Sequence, residues 1–225
     1  MKKMKIAIDG PAGAGKSTIA KRLAGELKFI YVDTGTMYRA LAVDFLRRGL
    51  AVSDETGIVA AANEDNVTLS YENGEQLVFL NGENVTGLLR TEDVGNMASA
   101  SSAYAGVREK LTASQKKLAE KADVVMDGRD IGTAVLPDAE VKIYLTASTR
   151  TRAERRYREL MEKNGSAPAL SVIEKDIAER DDRDMHREAA PLTQAPDAVY
   201  LDSSTLSVEE VVAKIRDIIR EKTGH

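Results

Sequence analysis

A chain of 225 residues, 43% of them hydrophobic, can build one domain with a core of normal size, with or without inserted subdomains. Its formal net charge of −4 gives no general attraction to nucleic acid or to an anionic membrane surface. It has no cysteine and only two histidines, His186 and His225, which excludes disulfides, thiol catalysis and cysteine-ligated zinc and disfavours a Ser-His-Asp triad.

The N-terminus, Met1-Lys2-Lys3-Met4-Lys5, is basic, but the apolar stretch behind it is far too short for a signal peptide. No apolar run approaches membrane-spanning length, so a cytoplasmic protein is expected. The run 5–8 reads as a strand and leads into Gly10-Pro11-Ala12-Gly13-Ala14-Gly15-Lys16-Ser17-Thr18, which matches the phosphate-loop pattern G-x-x-x-x-G-K-[ST] at every required position. Glycines let the backbone bend so that successive N–H groups point at phosphate oxygens, and the helix that follows adds free N–H donors. In this pattern Lys16 reaches the β- and γ-phosphates and Ser17 ligates Mg²⁺, while Thr18 binds the α-phosphate or caps the helix. Ile19, Leu23 and Leu27 give that helix one buried face.

Further β-rich runs at 29–32, 124–126, 141–145 and 199–201 complete about five strands, separated mostly by helical patterns, as a parallel sheet flanked by helices requires. Between the second and third lies a long excursion, roughly 34–121. Within it, 67–71, 77–80 and 83–85 read as short strands joined at Asn73-Gly74 and Asn81-Gly82, an antiparallel β-meander inserted into an α/β core. Helical stretches follow at about 91–102 and 105–121. A second excursion is charged over 150–163 and then turns at Asn164-Gly165-Ser166-Ala167-Pro168. Ser171 and Glu174 suggest a capping box. The helix it would open places Arg180, Asp184 and Arg187 on one face with Arg183 at the margin, and turns Asp181 and Asp182 away. The last helix opens on the capping box Ser207–Glu210 and buries Val211, Val212, Ile215, Ile218 and Ile219.

Ligands of such sheets bind beyond the carboxyl ends of the strands, which selects Asp9, Asp33-Thr34, Asp127-Gly128-Arg129-Asp130 and Thr146. Thr34 stands where a strand meets a helix, as an N-cap, and Tyr38 shares its face one turn on. Asp127 ends an apolar strand, where phosphate-loop enzymes keep the acid that steadies Mg²⁺ through water. Arg129 can fork onto phosphate oxygens.

Asp33-Thr34-Gly35-Thr36-Met37-Tyr38-Arg39, Asp127-Gly128-Arg129-Asp130-Ile131-Gly132-Thr133 and Arg180-Asp181-Asp182-Arg183-Asp184, together with the β-meander, resemble the bacterial cytidylate kinases, a family of nucleoside monophosphate kinases. The resemblance spans essentially the whole chain. It implies one phosphate-loop kinase domain over 1–225, with a core at about 1–60, 91–149 and 189–225. The monophosphate-binding insert would lie at about 61–90 with adjoining helices, and a short helical lid at about 150–170. It implies transfer of the γ-phosphate of ATP to CMP or dCMP with Mg²⁺, by a monomer with no nucleic-acid or membrane partner. Residue by residue, it makes Lys16, Arg39 and Arg129 catalytic, with Arg39 and Arg129 on the acceptor phosphate. Thr34, Tyr38, Asp130, Arg180, Asp184 and Arg187 join them in the acceptor site, Asp130 positioning either Arg129 or the nucleotide. Ser99 and Arg108 become donors to the cytosine edge. Arg150, Arg152, Arg155 and Arg156 become lid arginines, with Arg155 set among the ATP-binding residues. The family often carries serine at position 34; threonine keeps the hydroxyl and adds a methyl.

The expected reaction is direct in-line attack of a monophosphate oxygen on the γ-phosphorus. It needs no general base, because a phosphate monoester with a second pKa of about 6 is mostly dianionic at neutral pH. Alternatives are another small-molecule kinase of the phosphate-loop class, or a nucleotide-dependent switch. Against the switch, no Asn-Lys-x-Asp guanine-reading motif is present.

Overall fold

The structure, a computed structural model, describes residues 3–72 and 74–224. Met1, Lys2, Asn73 and His225 lie outside the described residues, and with them part of the basic N-terminus, one member of the Asn73-Gly74 turn and one of the two histidines. Strands β1 (Lys5–Asp9), β2 (Ile30–Asp33), β6 (Val124–Gly128), β7 (Val141–Thr146) and β8 (Val199–Asp202) form one parallel sheet in the order β2-β6-β1-β7-β8. The two central strands, β1 and β6, are buried almost throughout, as their unbroken apolar runs require. Helices α1 (Lys16–Leu27) and α8 (Val208–Thr223) cover one face, packing Ile19, Leu23, Val212 and Ile215 on Ile6, Ile8, Ile143 and Leu145. The other face packs Ala7, Val32 and Met126 beneath Ala119 of α5 (Ala105–Lys121) and a turn at Ile131–Val135.

The excursion after β2 contains α2 (Thr34–Arg47), α3 (Glu55–Glu64), the antiparallel sheet β3 (Val67–Glu72), β4 (Glu75–Leu80) and β5 (Glu83–Asn84), and α4 (Glu92–Ser101). It has its own apolar core, which includes Phe45, Ile58, Leu80, Met97 and Leu111. The β4–β5 turn uses the expected Asn81-Gly82, with φ values of 51° and 87°. Helix α3 has no counterpart in the sequence reading. Its ten residues include Gly57 and only a weak apolar period, and its main signal is the cap Asp54, whose carboxylate accepts the Gly57 N–H at 2.9 Å.

The second excursion is a hairpin of α6 (Thr149–Asn164) and α7 (Leu170–His186) around a small core of Ala153, Ile173 and Ile177. Three local expectations are corrected. The N-cap of α7 is Ala169 with no side-chain cap bond, and Ser171 lies exposed inside the helix, so there is no Ser171–Glu174 capping box. Arg187 follows the last residue of α7 in extended conformation, so it is not a third member of a helical face. The N-cap of α2 is Asp33, whose carboxylate accepts the Thr36 N–H at 3.3 Å, and Thr34 is the first residue inside the helix. Among the described residues, no helix is long and apolar enough to cross a membrane.

Candidate active site

The phosphate loop leaves β1 at Asp9 and enters α1 at Lys16. A Cβ at Gly10 would lie 1.9 Å from the Leu145 carbonyl oxygen, so the loop can press on β7 only because Gly10 has none. The N-cap of α1 is Gly15, with no side-chain cap; Thr18 is the third residue of the helix and exposed, so it is not the cap. Lys16 is buried and donates from Nζ to the Pro11 carbonyl at 2.7 Å. Burial, and then the nearby Arg129, bring its ammonium down to a pKa of about 7 despite Asp127 and Asp9. A polyphosphate arriving here would supply the missing negative charge.

Ser17 Oγ donates to Asp127 Oδ2 at 2.9 Å. Burial, reinforced by Asp33, pushes the Asp127 carboxyl up to about 7. The Tyr31 hydroxyl lies beside this carboxyl, yet Asp127 Oδ1 is buried without a hydrogen bond of normal geometry. Among the described residues no group of three or more acids or histidines is assembled as a metal cage. One hydroxyl and one orphaned carboxylate oxygen fit Mg²⁺, which keeps several waters and takes its remaining oxygens from substrate phosphates. Asp9 serves the other side of the loop: it accepts the Ile131 and Gly132 N–H groups at 2.8 and 2.7 Å and fixes the turn after β6. Its burial raises its carboxyl to about 6.

Opposite the loop, the ends of β6, α2, α5 and α7 bring together a network of arginines and two aspartates. Arg129 Nε donates to Asp184 Oδ2 at 2.8 Å. Asp184 also lies 3.7 Å from Arg187, and Arg187 lies 3.8 Å from Asp130. Asp130 accepts a short bond from Arg108, and Arg108 also donates to the Ser102 carbonyl at 3.1 Å and stacks over the Tyr38 ring, 5.5 Å from its centroid. Asp130 therefore pairs with Arg108 and Arg187, while Arg129 is held from another helix by Asp184. In sequence, Arg108 would pass for a surface residue of its helix; here it is buried.

Arg39 and Arg180 reach the same space with Asp33 and Asp184 in their neighbourhood but no hydrogen bond to either carboxylate. Burial lowers the Arg39 pKa, and its neighbours include Arg90, Arg129 and Arg156 as well as Asp33. Burial and Arg129 bring Arg180 down to about 10, and its Nε is buried without a partner. Ser99 Oγ on α4 is likewise buried and unpartnered. The Thr34 hydroxyl is spent on the Asp127 carbonyl at 2.8 Å.

The four arginines of α6 divide. Arg150 and Arg156 are paired with glutamates near solvent, Arg150 with Glu154 and Glu174 and Arg156 with Glu159. Arg155 donates to the Ser203 carbonyl at 2.7 Å, beyond the end of β8. Arg152 is buried and bonded to the phosphate loop and to Asp181. Asp181 thus does not turn to solvent but is 4% exposed. The sequence did carry a signal for this: Ile173, Ile177 and Asp181 follow at i, i+4 and i+8 on one stripe.

A family model described as Cytidylate kinase matches residues 6–221. The chain is 47% identical to a cytidylate kinase of Geobacillus sp. (strain WCH70), covering 98% of each chain. It is 48% identical to one of Ligilactobacillus salivarius, covering 99% of each. A solved structure of an uncharacterised Eubacterium ventriosum protein superposes with a TM-score of 0.53 at 14% identity, over 96% of this chain and 98% of that one, which is a likeness of fold alone.

Proposed function

The chain belongs to the cytidylate kinase family and transfers the γ-phosphate of ATP to CMP and dCMP, and from that premise we propose which of its residues do so. MgATP lies on residues 10–18, with Lys16 at the β- and γ-phosphates and Arg155 on the same nucleotide. Mg²⁺ is held by Ser17 and, through water, by Asp127; when bound, it neutralises charge on the transferring phosphates. The acceptor lies across the cleft. Arg39, Arg129 and Arg180 take its phosphate, and Ser99 and Arg108 donate to the O2 and N3 acceptors of cytosine. Tyr38, Asp130, Asp184 and Arg187 hold those arginines in place and line the nucleotide's remaining edge. Thr34 contributes more to the turn than to the ligand, because its hydroxyl proton is committed to Asp127. On the same reading the enzyme acts as a cytoplasmic monomer.

One observation carries this reading. Across from a phosphate loop, Arg39, Arg129 and Arg180 crowd together, and two of them are pushed below the ordinary guanidinium range by burial and by one another. Buried cations are found with partners, and a dianionic phosphate in line with the γ-phosphate supplies one. The chemistry then reduces to positioning and charge stabilisation by Lys16 and the arginines, and the acceptor dianion is its own nucleophile. The test is ADP release from ATP in the presence of CMP, dCMP, UMP, AMP or GMP. CMP and dCMP should give rapid turnover. Slow hydrolysis unchanged by any monophosphate would mark a nucleotide-binding switch instead.

A further inference from the structure

Both backbone polar groups of Ala12 in the phosphate loop, which belong to the two successive peptides flanking its Cα, are held by side chains from the α6–α7 hairpin. The Ala12 N–H donates to Asp181 Oδ1 at 3.3 Å, and the Ala12 carbonyl accepts from Arg152 Nη1 at 3.0 Å. Arg152 and Asp181 also bond each other. Arg152 is fixed from behind, by Nε to the Ala147 carbonyl at 2.8 Å and Nη2 to Thr149 Oγ1 at 3.1 Å. The fit extends to carbon: a Cβ on Gly13, whose φ is +74°, would lie 3.3 Å from Arg152 Cβ. Both clamp residues are 4% exposed. Apolar residues of the same volume often stabilise a fold as well as such a buried pair does, so stability alone does not account for a charged clamp on the loop backbone.

Asp181 sits on α7 between Arg180 and Asp184, which face the acceptor side. One helix therefore faces both nucleotide sites, through Asp181 on the triphosphate side and through Arg180 and Asp184 on the other. We propose that the Arg152–Asp181 clamp on the backbone of Ala12 couples the two sites, so that CMP bound against α7 sets the phosphate loop for ATP. This rests on the assignment of the two nucleotide sites given above. Arg152 and Asp181 act as positioning residues: they orient the two peptides on either side of the Ala12 Cα and, through them, the N–H groups that follow. CMP fixes α7 and so lowers the ordering cost that ATP would otherwise meet; by linkage ATP favours CMP by the same factor.

The test is calorimetric titration with the non-transferring ATP analogue AMP-PNP, with and without saturating CMP. It uses the wild-type chain, Asp181→Asn, and the double variant Arg152→Met/Asp181→Leu, which leaves no buried charge unpaired. Wild type should bind AMP-PNP about 5-fold or more tightly when CMP is present. In both variants the ratio should fall to near one and AMP-PNP alone should weaken about 10-fold, while CMP alone binds within about twofold of wild type. A ratio of one in wild type, or the wild-type ratio surviving in either folded variant, overturns the coupling. So does a loss of CMP affinity parallel to that of AMP-PNP, because the clamp would then only be holding the hairpin together. Wild type that binds AMP-PNP but not CMP overturns the acceptor assignment as well, which separates the two failures.

Discussion

On the proposed assignment Asp184 organises the acceptor side, because it faces three guanidinium groups. Burial alone would raise its pKa, but Arg129, Arg180 and Arg187 outweigh burial and hold it below the usual carboxylate range. Asp184→Asn removes the charge that orients Arg129 and Arg187, and breaking a buried pair on one side costs about 3–5 kcal/mol. The KM for CMP should rise at least about 10-fold, with the KM for ATP within about threefold of wild type; equal losses for both nucleotides would count against the acceptor placement. Lys16→Ala addresses the other side: deleting an electrostatic donor typically costs about 10² to 10³ in kcat, and near-normal turnover would remove Lys16 from the chemistry. Asp9 gives a prediction in pH. Its folded pKa of about 6 lies above the ordinary carboxylate value near 4, so the native chain keeps this proton to higher pH than the unfolded chain does. The stabilisation from this proton is complete below about pH 4 and is lost as pH rises through about 6. A gap of about two pH units corresponds to about 3 kcal/mol. Asp9→Asn has no such titration, so the unfolding free energy of wild type minus that of the variant should fall by about that amount between pH 4 and pH 7. Urea unfolding at both pH values measures it, and a constant difference would refute it.

At the scale of elements, one side chain ties the small antiparallel sheet to the corner of the cleft, beside the apolar packing of β4 on α2 and the exposed Arg47–Glu83 pair. Gln76 on β4 accepts the Asp33 N–H at 2.9 Å and donates to Thr36 Oγ1 at 2.7 Å, at the corner where β2 becomes α2. The neighbouring Lys21–Glu75 pair is exposed and adds little. Gln76→Ala leaves the Asp33 N–H without its partner, at about 1–3 kcal/mol, and frees the first turn of α2, which carries Tyr38 and Arg39. The variant should show a several-fold rise in the KM for CMP and almost none for ATP; unchanged CMP kinetics would show that the corner holds itself. Gln76 also marks the boundary of what the chain's local pattern could disclose. The five strands, the phosphate loop and the Asn81-Gly82 turn were legible because each is written in consecutive residues with a fixed period or a required conformation. The contacts of Gln76, the grip of Asp181 on Ala12 and the burial of Arg108 were not, because the partners lie 43, 169 and 22 residues away. The cap at Asp33 was missed by one position: aspartate and threonine are both good caps, and only the path of the backbone decides between them.

Across the whole molecule the apolar core falls into separate clusters, and they differ greatly in size. The sheet and the first excursion each bury many large side chains, among them Ile6, Ile143 and Leu23 in one and Phe45, Ile58 and Leu111 in the other. The α6–α7 hairpin buries only Ala153, Ile173 and Ile177, with Tyr157, Leu160 and Leu170 packed at the margin. At about 1.5–3 kcal/mol for each large buried side chain, that cluster cannot make the hairpin as hard to open as the sheet. Its pose on the sheet depends instead on polar contacts at its inner side: Arg152 and Asp181 on Ala12, Arg155 on Ser203, and Asp184 on Arg129. On the proposed assignment most of these border a nucleotide, so bound ligands would supply the cohesion that the hairpin's own core lacks. Native-state hydrogen exchange should therefore find the amides of α6 and α7 exchanging at least about 10-fold faster than those of β1 and β6, through an opening smaller than global unfolding. AMP-PNP and CMP together should slow the hairpin while leaving the central strands almost unchanged. Equal protection of hairpin and sheet in the free enzyme would mean that the hairpin is part of the rigid core, and that closure over the nucleotides has to be carried by another segment.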